Sequence, residues 1–202
     1  MSTISTHTTT VDRLTATRTA IVAAALVAAI SMAAYISMVI FMPDISNKDA
    51  ATHPLVQTAE ILAGLSFVVL AVALPSLAEF SKLPRWALYV AAAGCACVAT
   101  NAWTYGLFMG HVVGLFTDAQ AEAFQNSSSG YLTAFLLPKM ILCGVGFLAL
   151  AIVGWRRRAM ARPACVLLVL AAIVSGLLGA YPPGAFLAAL AIAWTARTAK
   201  SS

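Results

Sequence analysis

Two ionisable side chains, Glu60 and Lys139, stand inside long apolar stretches of this 202-residue chain. A charge at the centre of a bilayer costs roughly 2.5–3.5 kcal/mol on insertion scales, so a chain that keeps one supplies a partner or a water-filled cavity. At about 1.5 Å per helical residue, Glu60 lies about 8 Å, and Lys139 about 12 Å, from the start of its own stretch. Those depths predict that the two interact, directly or through one water or Asn101. Gln57 stands one turn from Glu60, and Cys97, Asn101, Thr104, Tyr105 and His111 share a broad face of another helix at about 100° per residue. The candidate ligand-binding set is therefore Glu60, Lys139, Asn101, Tyr105 and Gln57, the floor of an outward-facing polar pocket that binds or translocates a small solute or handles a proton. The same residues also suit a buried ion pair that sets helix register, with Asn101 as interhelical glue. Either charge alone can be satisfied by stretching to the interface, and a Glu60 left without a partner takes up a proton. Gly64 and Gly146, close to the two charges in sequence, would let neighbouring backbones approach. Pro138, beside Lys139, leaves the carbonyl of Ala134 without its usual donor.

Other reactive side chains carry weaker signals. Cys95, Cys97, Cys143 and Cys165 lie in apolar stretches without a Cys-x-x-Cys pair, which suits small buried hydrophobes and dispensable, reduced thiols. Cys95 and Cys97, two apart on a helix, point in widely different directions. His53, His111, Met42 and Met109 have ligand types that copper accepts, but no ligand spacing, so no metal site is expected. Asn126-Ser127-Ser128 matches a glycosylation sequon, which has meaning only in a secretory eukaryotic setting. The sequence has no phosphate-binding loop, zinc-protease motif, nucleophile elbow or dinucleotide fingerprint. No cofactor is expected, and an enzyme is the least supported reading.

These residues have to be positioned by helices in lipid. The chain is 61% hydrophobic and only 9% charged, with a mean hydropathy of +0.91, against about a quarter charged residues in soluble domains. Its apolar blocks, Thr19 to Met42, Leu55 to Ala78, Trp86 to Met109, Tyr131 to Trp155, Pro163 to Ala180 and the shorter Pro183 to Ala196, approach the roughly 20 residues a bilayer demands. The first is longer than the ~7–15 residue core of a signal peptide, so it reads as an uncleaved helix. Pro84 suits a helix start, Tyr181-Pro182-Pro183-Gly184 a turn, and Thr117 with Gln120 a capping box opening a short surface helix through Phe124. A weak echo relates Gly64–Val72 to Gly144–Ile152. It fits either a duplication or composition alone.

Lys and Arg assign the sides. Arg13, Arg18, Lys82, Arg85, Arg156, Arg157, Arg158, Arg162, Arg197 and Lys200 fall on one side if the chain crosses six times, with Lys48 opposite. The formal charge of +5 is thus a topology signal and not a nucleic-acid surface. The expected fold is an all-α, polytopic membrane bundle of six transmembrane helices, the alternative being five plus a re-entrant segment. Residues 1–18 are expected as a disordered cytoplasmic tail, 19–197 as one transmembrane domain and 198–202 as a second cytoplasmic tail, in the cell membrane. Membrane lipids are the expected surroundings, with anionic headgroups facing Arg156–Arg158. The Ala172, Gly176 and Ala180 ridge, with Ser175 and Gly179 beside it, suits packing within the bundle, a membrane-protein partner or a homo-oligomer. A non-catalytic accessory or structural subunit is the alternative function.

Overall fold

The computed structural model describes residues 3–42, 44–79, 81–126, 130–178 and 182–198, and among them it is all-helical. In chain order the helices are α1 (Thr3–Phe41), α2 (Asn47–Thr52), α3 (Pro54–Ala73), α4 (Arg85–Trp103), α5 (Gly110–Gly114), α6 (Asp118–Asn126), α7 (Gly130–Arg156), α8 (Arg162–Leu178) and α9 (Pro182–Thr198). A 3-10 segment, Leu74–Glu79, extends α3, and a π-helical segment, Thr104–Met109, joins α4 to α5. Among the described residues four stretches are long and apolar enough to cross a membrane: Leu14–Phe41, Pro54–Glu79, Arg85–Trp103 and Leu137–Arg156. Arg162–Leu177 is apolar but shorter.

The long helices close a ring in which α1 packs on α3, α3 on α4, α4 on α7, α7 on α8, α8 on α9, and α9 on α1. Its interior is filled by Phe67, Leu70, Leu74, Phe147, Leu150, Leu168 and Ile192, all 2% exposed or less. Alanines line the inner side of α9, so backbones pack closely where no hydrophobic force from water would hold them. Outward, Ile30, Val72 and Leu177 are 69%, 77% and 73% exposed, a surface that suits hydrocarbon rather than water. Arg18 closes the ring at one end: its Nε donates to the carbonyl of Ala196 at 2.6 Å and its Nη2 donates to that of Arg197. Those carbonyls belong to the last turn of α9, where a cation also meets the negative end of the helix dipole.

Helix ends follow local chemistry. Pro84 precedes the start of α4 as expected. Thr117 and Gln120 form the expected reciprocal box, with the Thr117 N–H donating to Oε1 at 3.0 Å and the Gln120 N–H to Oγ1 at 3.4 Å, and α6 runs on to Asn126. Between α7 and α8, Arg158 adopts a left-handed φ of 51° that glycine usually takes, while Ala159 N–H closes on the Gly154 carbonyl at 3.0 Å.

One expectation differs from the structure. The tail expected to be disordered is helical from Thr3, because a helix nucleated in an apolar block extends at one hydrogen bond per added residue. Between the first two apolar blocks lies α2, capped by Ser46, whose hydroxyl accepts from the Asp49 N–H at 3.0 Å. Lys48 then pairs with Asp118 at 3.0 Å, tying α2 to the start of α6.

Glycines set the spacing between helices. A Cβ on Gly146 would lie 2.7 Å from the Val90 carbonyl oxygen and 3.3 Å from Ala91 Cα, whereas one on Gly176 would meet nothing within 4 Å. Gly146→Ala is therefore expected to lower stability in detergent-micelle unfolding by about 1–3 kcal/mol, since backbone has to yield. Gly176→Ala should leave it unchanged or raise it by up to about 1 kcal/mol through helix propensity. Equal losses at both positions would contradict this packing.

Candidate functional site

The polar residues divide between the two sides of α4. On one side α4 meets α7 through glycine. A Cβ on Gly94 would touch Cys143 Cα at 3.4 Å, and Gly146 sits against Val90, so the two helices run antiparallel with little between their backbones. Two residues per helix at i and i+4 then share this seam, Cys97 and Asn101 on α4, Lys139 and Cys143 on α7. Lys139 Nζ donates to Asn101 Oδ1. Both residues are buried, at 4% and 9% exposure. Cys143 Sγ donates to the Gly94 carbonyl at 3.4 Å, and Cys97 stands on the same face of α4 between Gly94 and Asn101.

On the other side α4 meets α3. Gly64 receives the indole of Trp103, whose Nε1 donates to the Ile61 carbonyl at 3.4 Å. Above this contact Thr100 and Thr104 bond back to the carbonyls of Ala96 and Thr100 at 2.9 and 2.8 Å, a pattern that bends helices. The π-helical turn follows at once, and its Gly106 lies directly against Glu60 Cβ. Glu60 is 5% exposed and makes neither a hydrogen bond nor an ion pair among the described residues. Gln57 stands one turn nearer the helix end, beside Gly110, with Nε2 donating to the Ala51 carbonyl at 3.4 Å.

Glu60 and Lys139 do not form the expected ion pair. Among the described residues the salt bridge is Lys48 with Asp118, and α4 stands between the helices that carry the two charges. Glu60 is level with Gly106 while Lys139 is level with Asn101, five residues lower on α4, or roughly 7 Å at 1.5 Å per residue. Among the described residues Asn101 bonds Lys139 and does not bridge it to Glu60. Of the candidate set, the structure brings together Lys139 with Asn101, and Glu60 with the neighbourhood of Gln57. The side chain of Tyr105 lies outside those described.

Other candidates have ordinary tasks. His53 caps α3, its Nδ1 accepting from the Leu55 N–H at 3.2 Å, and among the described residues no group of His, Cys, Asp or Glu has the makings of a metal site. The ridge on α8 is used within the bundle: Ala172 and Gly176 face Gly144, and Ser175 faces Gly184 on α9, while Gly179 and Ala180 lie outside the described residues, as do Ser127 and Ser128 of the sequon. A cavity of about 440 Å³ lies elsewhere, between α1 and α9, lined by Val22, Leu26, Leu190, Trp194 and Arg197 among others. Sequence reasoning missed Trp103, the π-helical turn and the placement of Cys97 and Cys143 on one seam. The readable signal for the last was the matching i, i+4 spacing of Cys97/Asn101 and Lys139/Cys143.

Compared with known proteins, the chain matches no protein-family model, no curated protein and no solved structure.

The geometry sets the energetics of the two charges apart. Lys139→Met and Asn101→Leu are each expected to cost about 1–3 kcal/mol, since each leaves the other's buried polar group unmatched. The double variant should lose clearly less than the sum, as measured by a double-mutant cycle in micelles. Glu60→Gln combined with Lys139→Met should be additive within about 0.5 kcal/mol. Strong coupling between Glu60 and Lys139 would overturn the assignment.

Proposed function

We propose that this is a multi-pass cell-membrane protein crossing the bilayer six times, with both termini in the cytoplasm, and that it binds and relays a proton, alone or with a small solute, at Glu60. Six crossings are supported by the closed ring and by Arg18 meeting the end of α9, which places the first and last long helices antiparallel. At 17 residues each, α8 and α9 reach about 25 Å, slightly under the roughly 30 Å hydrocarbon layer, a mismatch that local thinning accommodates. The exposed Lys82, Arg85, Arg156, Arg157, Arg158, Arg162 and Arg197 share the end with the termini, the pattern of a cytoplasmic face.

The observation that carries the functional reading is the solitary Glu60. A carboxyl buried at 5% exposure with no hydrogen-bond or ion-pair partner among the described residues needs a proton or a cation as its counter-charge, and exchanging that counter-charge is what a relay site does. Its setting adds support: it stands about 9 Å from the outer start of α3, below Gln57, against a π-helical turn of a kind often found at functional sites. A second reading, a structural or accessory subunit, is favoured by the Lys139–Asn101 bond, which uses a buried charge to fix helix register.

Proteoliposomes with an internal pH dye and a potassium diffusion potential discriminate the two. Wild type is expected to take up protons well above protein-free vesicles, and Glu60→Gln, folded, to fall to the vesicle background. Equal uptake by wild type and Glu60→Gln, or wild type at background, would leave the structural reading. Labelling of a cysteine placed at position 200 from the outside of intact cells would contradict the topology.

A further inference from the structure

We propose that Cys97 and Cys143 form a redox-convertible dithiol, a modification site that a lipid-soluble quinone oxidises to a disulfide bridging α4 and α7. The argument starts from backbone spacing. Gly94 brings α4 against Cys143 closely enough that the thiol bonds its carbonyl at 3.4 Å, and Asn101, further along the same face, meets Lys139. Cys97 stands between those two contacts, at i+3 from Gly94 and i−4 from Asn101, so the register places its thiol and that of Cys143 on one seam. All four cysteines are free thiols. Disulfides need Cα atoms about 4.4–6.8 Å apart, a separation reached by helices that approach through glycine.

The oxidant follows from access. Cys143 is fully buried and Cys97 is partly exposed on an apolar helix, so charged, water-borne disulfides have no route. An uncharged carrier dissolved in the hydrocarbon does. In the reaction two S–H bonds break, one S–S bond forms, and the quinone takes both electrons and both protons to become the hydroquinone. The product ties α4 to α7 one turn from the Lys139–Asn101 bond. This inference stands on the α4–α7 seam and is independent of proton relay at Glu60.

The test uses membrane vesicles holding the full-length chain and tetramethylbenzoquinone, whose fully substituted ring leaves no position for thiol addition. After acid quenching, unfolding and maleimide alkylation, the chain is expected to have lost two of its four alkylatable thiols, with one hydroquinone formed per chain. Proteolysis should yield one dithiothreitol-sensitive cross-link, joining the Cys97 and Cys143 fragments. Cys95→Ser and Cys165→Ser should keep that cross-link, and Cys97→Ala should abolish it. Four alkylatable thiols remaining under quinone exposure that oxidises an added hydrophobic dithiol, or cross-links through Cys95, Cys165 or a second chain, would overturn the proposal.

Discussion

The close approach of α4 to α7 at Gly94 and Gly146 is the contact on which the arrangement of the site depends. In hydrocarbon, helices gain nothing from expelling water, so association rests on backbone proximity and on hydrogen bonds between side chains. Glycine supplies the first and, by supplying it, permits the second. Only with the backbones this near does the short Asn101 side chain reach Lys139. The remaining ring contacts follow the same logic with alanine in place of glycine along α9.

The consequence is a division of labour between two buried ionisable groups. Lys139 has a partner, and its charge is used to hold a seam. Among the described residues Glu60 has none, and the neighbouring segment presents to it a glycine of the π-helical turn. Trp103 fills the space at Gly64 between α3 and α4. A matched charge stabilises; a buried unmatched one needs a counter-charge. That contrast is why the functional reading rests on Glu60.

Much of the helical architecture was legible because it obeys one-dimensional rules. Apolar length located most ends of the long helices within a few residues, the exceptions being the start of α1 at Thr3 and the end of α4 at Trp103, while Pro84 marked the start of α4 and the spacing of Thr117 and Gln120 identified α6. The capping pattern at Ser46 and Asp49 is equally readable from spacing alone. The site was harder. Counting residues from a block end gives depth but not which helix lies beside which, and it assumes that all block ends are level. Glu60 and Lys139 fail on both counts, since α4 intervenes and the register along α4 separates them. The placement of Cys97 and Cys143 on one seam is not legible from spacing within a helix, where Cys95 and Cys97 diverge, because it depends on the register between α4 and α7.

The central claim, that Lys139 is satisfied by Asn101 while Glu60 stands apart, is open to direct measurement in lipid. Solid-state NMR on bilayer-reconstituted protein, with ¹⁵N in lysine and ¹³C in the asparagine and glutamate side chains, reports which carbon lies near Lys139 Nζ. The account predicts a strong dipolar contact with Asn101 Cγ, as for a hydrogen bond with N···O of about 3 Å, lost in Asn101→Leu, and no contact with Glu60 Cδ. A contact between Lys139 Nζ and Glu60 Cδ, with none to Asn101, would contradict it.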